Sequence, residues 1–339
     1  MKRTRTSVPI KLKGKLSASC ECHGCRRHPG NLWSSGRKPA SRVWAFCACA
    51  ALILAGGALA DDTKVVPGLA AKYPGDIGIA KDPAVLFHDD FEMDAPGKRW
   101  DEVKTRGKSA TPAVQEETAK DIARGSRSAR VMLEKDGFSD ISLYQKLEPA
   151  LDQVFMRHYI RYGRDYGFHG HGGSGFMADA GKGAFKGAGK APDGDKFFWA
   201  TLEPIGGRGR WEAPGALIFY AYWWKMKPDG RGNHWGNWFE PKPVQIPALE
   251  AWLCVEWRVK INTPEREDGE LDCWIDGVQR GRFRNINWRQ AESLKLNKVW
   301  LTLWLEADSY AESGGGTTRT VWYDDVVVAK QYIGPMAKK

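Results

Sequence analysis

Between Leu217 and Trp224 the chain reads LIFYAYWW, apolar or ring-bearing at every position. Strand side chains alternate between two faces, so Phe219, Ala221 and Trp223 point one way and Tyr220, Tyr222 and Trp224 the other. One set can fill a core. The other would present flat rings with polar tips. The same alternation recurs along residues 252–262, where Leu253, Val255, Trp257, Val259 and Ile261 interleave with Glu256, Arg258 and Lys260. It recurs again over 270–276, where Leu271, Cys273 and Ile275 oppose Asp272, Trp274 and Asp276. Asp276-Gly277 then signals a tight hairpin turn, and the two runs predict an antiparallel pair with one wet face.

Applied to the whole chain, the pattern predicts strands at 85–92, 128–135, 141–148, 153–163, 175–180, 197–205, 216–224, 252–262, 270–276, 278–285, 299–306 and 320–332. About a dozen short strands with turn signals between them read as an all-β sandwich or barrel. Helical periodicity is weak, and the one short helix predicted lies near 112–122. Residues 61–84 are rich in Gly, Pro and Ala and read as a linker or an arm along an edge. The domain itself is expected over 85–335, with 336–339 as a tail. Two long segments break the strand rhythm. Residues 163–195 are Gly-rich and carry His169 and His171, and residues 225–250 carry His234, Trp235 and Trp238. Loops of this length inside a domain are functional or disordered. No G-x-x-x-x-G-K-[ST] run or strand–helix unit supports a phosphate-binding loop.

Charge changes the picture little. The formal net charge is +10, but residues 1–60 hold 11 Lys and Arg against Glu21 alone, and the rest is balanced. The body therefore lacks the basic excess that a nucleic-acid binder uses to neutralise phosphates. Residues 43–60, VWAFCACAALILAGGALA, follow basic residues and end in Ala58-Leu59-Ala60 before Asp61-Asp62. That order is a secretory signal, with cleavage expected after Ala60 and a secreted or periplasmic product. An uncleaved membrane anchor is the alternative, because the run approaches spanning length. Cys20, Cys22, Cys25, His23 and His28 lack the second paired half of a zinc site. Cys254 and Cys273 fall out of register in the predicted hairpin, with Cys273 nearer Lys260, and are expected as unpaired buried thiols.

Side-chain chemistry concentrates in three places. The ring face of Tyr220, Tyr222 and Trp224, with Lys225, His234, Trp235 and Trp238 beside it, suits a sugar, whose C–H face stacks on aromatics while its hydroxyls need polar partners. The strand VFMRHYIRYG places Arg157, Tyr159 and Arg161 on one face. Asp89, Asp90 and Glu92 near the domain start, and Asp324 and Asp325 near its end, form the third group.

Four passages carry a family resemblance: LFHDDFE at 86–92, WLCVEWRVKINTPEREDGELDCWIDG at 252–277, LTLWLEA at 301–307 and VWYDDVVVAKQYIGP at 321–335. They resemble secreted concanavalin A-like jelly rolls, and most of all relatives of the polysaccharide lyases that act on alginate or glucuronan. The resemblance implies an all-β, concanavalin A-like jelly-roll β-sandwich of two antiparallel sheets. It also implies a structural calcium where first and last strands meet, held by Asp90, Glu92 and Asp325, and no organic cofactor. Only one Asp of each adjacent pair could ligate, since neighbours on a strand face opposite ways.

The resemblance can be set against the chemistry. A laminarinase-type hydrolase would show E-x-D-x-x-E, but here Glu270 and Asp272 are followed by Ile275, so the third carboxylate is missing and the motif argues against retaining hydrolysis. A lyase must neutralise a uronate carboxylate, remove the proton α to it and protonate the leaving oxygen. Arg157, Tyr159 and Arg161 resemble the R-x-E-x-R strand of one alginate lyase family, with Tyr159 in place of Glu, while that family's Q-I-H triplet is absent. Tyr220 and Tyr222 are candidate acid and base, and His169 or His171 a candidate base or neutraliser. Two functional readings follow: β-elimination of a uronate-containing, acidic polysaccharide, or a non-catalytic carbohydrate-binding module. A third, a structural protein whose rings are all core, fits less well with fourteen Trp after residue 60, because Trp is rarely fully buried.

Overall fold

A computed structural model describes residues 67–93, 97–106, 111–116, 125–134, 139–167, 171–206, 210–305 and 318–338. The leader with its cysteine cluster and signal-like run, and His169, lie outside the described residues. Fifteen strands are present among them. They are β1 (Val85–Asp89), β2 (Glu102–Arg106), β3 (Thr111–Glu116), β4 (Arg127–Glu134), β5 (Ser139–Leu151), β6 (Gln153–Tyr162), β7 (Gly172–Asp179) and β8 (Phe197–Ile205), followed by β9 (Ala216–Tyr222), β10 (Asn237–Phe239), β11 (Leu253–Lys260), β12 (Gly269–Ile275), β13 (Val278–Ile286), β14 (Leu296–Leu305) and β15 (Thr318–Ala329).

All pair antiparallel into two sheets. The first runs β13-β12-β11-β6-β15-β4-β3, with β1 also on β15, and the second runs β10-β9-β8-β7-β14-β5-β2. Between them lies one apolar core built from alternate positions. Sheet one contributes Val154, Met156 and Ile160 from β6 and Val255, Trp257 and Val259 from β11. Sheet two contributes Phe198, Ala200 and Leu202 from β8, Phe219 and Ala221 from β9, and Val299, Leu301 and Leu303 from β14. Two buried polar groups in this layer find partners, as desolvation favours: Trp257 Nε1 donates to Ser174 Oγ at 2.8 Å, and the Tyr323 hydroxyl to the Thr302 carbonyl at 2.7 Å.

The outer face of sheet one is also covered. Leu69, Ala70 and Ile79, from short 3-10 turns over Leu69–Lys72 and Ile79–Lys81, pack with Phe155, Val327 and Ile333 into a second apolar cluster. Of the two readings of this stretch, linker or arm, residues 67 onward take the second and form a docked arm. Glu256 of β11 holds the chain after β15 by accepting the Ile333 and Gly334 N–H groups, both at 2.7 Å.

Two sequence expectations fail here. Instead of a helix near 112–122, β3 pairs with β4 over Thr111–Glu116, the partner strand overriding local propensity. Cys273 stands opposite Trp257, not nearer Lys260, so the hairpin register differs from that expected. The thiols remain unpaired and buried.

Candidate functional site

The outer face of sheet two carries a groove of about 500 Å³. The strand period that sends Phe219 and Ala221 to the core turns Tyr220 and Tyr222 into this groove. On β8 the same period turns Trp199, Thr201 and Glu203 towards the groove, and on β14 Lys298, Trp300, Thr302 and Trp304. Strand β5 adds Asp140, Ser142 and Tyr144, and β2 adds Glu102 and Lys104. Phe185, from the loop after β7, forms one wall edge-on to Tyr222 at 5.9 Å.

The rings support one another. Trp199 stacks on Tyr222 at 5.1 Å with 17° between planes, and meets Trp300 edge-on at 6.0 Å. Trp300 lies over Gly175, where an added Cβ would come within 2.3 Å of its ring. A glycine is required there because the indole occupies the space of any side chain.

One polar constellation stands among the rings. Nδ1 of His171 lies 2.9 Å from Oε1 of Glu203, whose side chain is 1% exposed. The His171 ring packs edge-on against Trp304 at 4.7 Å and Tyr220 at 5.5 Å. Its backbone is held at φ +62°, a conformation that non-glycine residues adopt at a cost, and its carbonyl accepts the Trp304 N–H at 2.9 Å. Burial, followed by the neighbouring Tyr222 and Glu203, pushes the Tyr220 phenol well above its ordinary range, so it stays protonated at neutral pH. At the other end Ser142 Oγ bonds Asp140 Oδ1 at 2.8 Å and stands 2.9 Å from Thr302 Oγ1. Burial raises the Asp140 carboxyl against the opposing pull of Ser142, Lys104 and Arg106.

The predicted residues are divided by this geometry. His171, Tyr220 and Tyr222 line the groove. Arg157, Tyr159 and Arg161 do not: β6 belongs to sheet one, and its alternate residues face away from the groove. Arg157 is fully buried, ion-paired with Asp76, and bonded to the carbonyls of Asp325 (3.1 Å) and Gly334 (3.4 Å). The Tyr159 hydroxyl accepts the Met336 N–H at 3.1 Å, and Arg161 stacks over Trp322 at 4.7 Å. All three secure arm, tail or sheet on the far side.

Trp224, Lys225, His234, Trp235 and Trp238 are not part of the groove lining. Lys225 lies over the Trp224 ring at 5.1 Å and pairs with Glu267 at 2.6 Å. His234 bridges by its backbone to Gly189, and Trp235 Nε1 donates to Asp229 at 3.1 Å. Trp235 and Trp238 are about half exposed, at 50% and 48%.

The metal expectation meets a similar test. Strands β1 and β15 do pair, bringing the acids to one end of the sheet. Yet Asp90 faces Arg99 at 3.7 Å, and Glu92 Oε1 accepts the N–H groups of Ser126 (2.8 Å) and Arg127 (3.0 Å). Asp325 is buried at φ +45°. Among the described residues no three His, Cys, Asp or Glu side chains are already grouped as a ligand set, although the charges of Asp325, Glu92 and Asp90 all reach Asp324.

Glu270 and Asp272 are on the outer face of sheet one, paired with Arg258, Lys260 and Arg284. That placement removes them from the groove as well as from the hydrolase motif. Sequence reasoning missed Trp199, Glu203, Trp300 and Trp304. Their signal was present as Trp-x-Thr-x-Glu on β8 and Trp-x-Thr-x-Trp on β14, the same period two as Tyr-x-Tyr on β9.

Among solved structures the chain is similar to the alginate lyase vAL-1 from Chlorella virus, at 16% identity and TM-score 0.51, over 73% of this chain and 99% of that one. It is also similar to the marine PL-14 alginate lyase from Aplysia kurodai, at 13% identity and TM-score 0.52, over 73% and 97%. An endo-β-1,4-glucuronan lyase from the fungus Trichoderma reesei matches at 17% identity and TM-score 0.47, over 73% and 95%. No protein-family model and no curated protein matches the chain. At these identities the likeness is one of fold, and it agrees with the two stacked antiparallel sheets: the chain has the jelly-roll fold of the two alginate lyases.

Proposed function

We propose that the groove on sheet two binds a polysaccharide and cleaves it by β-elimination. The observation that carries this reading is the His171–Glu203 pair beside Tyr220, set in a wall of rings. Glu203 accepts the His171 Nδ1 proton, which makes Nε2 the nitrogen that works as base. Nε2 takes the proton α to the uronate carboxylate. The electron pair forms the C4–C5 double bond, the C4–O bond breaks, and the leaving oxygen takes the Tyr220 phenolic proton. Burial keeps that phenol protonated until this step. Lys104 and Lys298 are the lysines of the lining available to substrate carboxylates, Lys298 also pairing with Asp179 at 3.4 Å. Two solved structures of like fold, the Chlorella virus and Aplysia kurodai enzymes, are alginate lyases, which supports the same reaction class. The secretory leader adds that the polymer is met outside the cytoplasm, since the run at 43–60 has the order of an export signal.

One observation favours a second reading. Glu102, Asp140, Asp179 and Glu203 line the groove against only Lys104 and Lys298. An acid surplus repels a polyanion and suits a neutral glycan held by rings without chemistry. One experiment separates the two. Residues 61–339 are offered alginate, glucuronan, hyaluronan and pectate, and the ultraviolet absorbance of the unsaturated product is followed. A rise that Tyr220→Phe lowers by roughly 10²-fold or more supports elimination. No rise on any polymer, with retention on a polysaccharide gel, supports the binding module.

A further inference from the structure

Strand register draws one line across the whole of sheet two. Tyr144 stands opposite Trp300, Trp300 opposite Gly175, and Gly175 opposite Thr201. Thr201 stands opposite Tyr220, and Tyr220 opposite Trp238 on the edge strand β10. Directly paired residues project to the same face, so all of these side chains rise on the groove side. Trp238 obeys the rule independently: its neighbour Phe239 packs against the core, which turns Trp238 outward. The cavity ends at Tyr220 and Tyr222, and the row continues past it to a Trp that is 48% exposed.

The row has a gap. Trp300 covers Gly175, so Thr201 is the position without a ring between Trp300 and Tyr220. Two residues along β8 from Thr201, on the same face, is Glu203 with its His171 partner. Rings therefore flank the polar constellation on both sides.

We infer that Trp238 is a distal sugar subsite, and that the ligand is an extended β-1,4-linked pyranose chain lying across the strands from Tyr144 to Trp238. This rests on the carbohydrate reading above and adds direction, length and mode. Five strand spacings of about 4.8 Å place the ends of the row roughly 24 Å apart. A β-1,4-linked pyranose advances by about one strand spacing per unit, so the row holds about five units. With rings on either side of Thr201, the chain is engaged internally rather than at an end.

The test uses a length series. Oligomannuronates, oligoglucuronates and cello-oligosaccharides of two to eight units are titrated into the protein and into its Trp238→Ala and Trp235→Ala variants. Binding is read by calorimetry, with thermal unfolding to confirm that each variant is folded. For the series that binds, wild-type affinity should climb to about five units and then level. Trp238→Ala should lose the last part of that climb, about five- to tenfold on the longest chains, and change dimers and trimers by less than twofold. Trp235 is equally exposed but is not in this row, and Trp235→Ala should keep the full climb. Affinity independent of length, equal weakening of short and long chains by Trp238→Ala, or a shortened climb in Trp235→Ala would each overturn the inference alone. Absence of binding at every length would overturn the carbohydrate reading beneath it.

Discussion

His171 is bonded through Nδ1 to Oε1 of Glu203 at 2.9 Å, and it is held there with a backbone φ of +62°. A buried carboxylate against one imidazole nitrogen fixes the tautomer and raises the basicity of the other. Glu203→Gln keeps an oxygen able to accept the Nδ1 proton but removes the charge. Turnover by elimination should fall roughly 10- to 100-fold, with KM little changed. The acid limb of the pH–rate profile should move to lower pH, because the imidazole loses the charge that favours its protonated form. An unmoved limb with unchanged kcat would leave Glu203 a packing residue only.

Arg157 gives a contrasting case, since its whole environment is structural. Arg157→Ala leaves Asp76 as an unpaired buried carboxylate in the N-terminal arm, and breaks bonds to the Asp325 and Gly334 carbonyls. Stranding one partner of a buried pair costs about 3–5 kcal/mol. The urea midpoint should drop accordingly, while Arg157→Met with Asp76→Leu should recover most of the loss. Ligand binding by the folded fraction should be unchanged, because the groove is on the other sheet. A folded Arg157→Ala protein of normal stability that lost turnover would reverse this assignment.

The contrast between Tyr220 and Arg157 shows what could be read from the chain. Period two sorted both strands into two faces, and the face holding Tyr220 and Tyr222 is the groove face. Periodicity does not say which sheet a strand joins, so Arg157, Tyr159 and Arg161 could not be placed relative to the groove. That depends on β6 pairing with β11 and β15, both long-range contacts. Strand β2, EVKTR, is exposed at every position and has no apolar face to announce it, and β10 is only three residues long. The groove residues of β8 and β14 alternate as clearly as those of β9. They went unread because a Trp in an alternating strand is highly buried on average whichever face it takes, so periodicity alone does not assign it to groove or core.

His158 lies on the core side of β6, beside Tyr323 at 6.0 Å between rings. Burial, helped by the charge of Arg157, lowers its pKa to about 3. The folded state therefore holds a neutral imidazole, while the unfolded chain protonates near pH 6.5. The sign follows: this contribution is fully present above pH 6.5 and is lost as pH falls towards about 3. A single group of this kind contributes at most about 1.4 kcal/mol per pH unit in that window. His158→Leu should flatten the acid limb of a stability–pH curve measured by urea unfolding between pH 6.5 and 3.5. A limb as steep as wild type would place the acid sensitivity elsewhere, in the buried carboxylates.

Asp324 is the carboxylate most at odds with its surroundings. It is 1% exposed; Oδ1 accepts the Asp325 N–H at 2.8 Å, and Oδ2 makes no hydrogen bond. Burial first, then the charges of Asp325, Glu92 and Asp90, push its pKa well above the usual carboxylate range. A raised carboxyl favours the protonated folded state, so its stabilising contribution is complete at acid pH and is lost as pH rises through the folded-state pKa. Asp324→Asn removes the charge and keeps the acceptor for the Asp325 N–H. It should raise Tm by roughly 2–4 °C at pH 8 and change it little at pH 4. The same variant tests the calcium that the family resemblance implies. Carboxylate oxygens are the donors calcium prefers, but here no three acids are already grouped as a ligand set among the described residues. A cation would have to draw Asp90 and Glu92 away from Arg99 and from the Ser126 and Arg127 N–H groups. A Tm rise with millimolar calcium in the wild type, absent from Asp324→Asn, would establish such a site. An Asp324→Asn protein less stable than wild type at pH 8 would show instead that the ionised carboxylate is the form the fold requires.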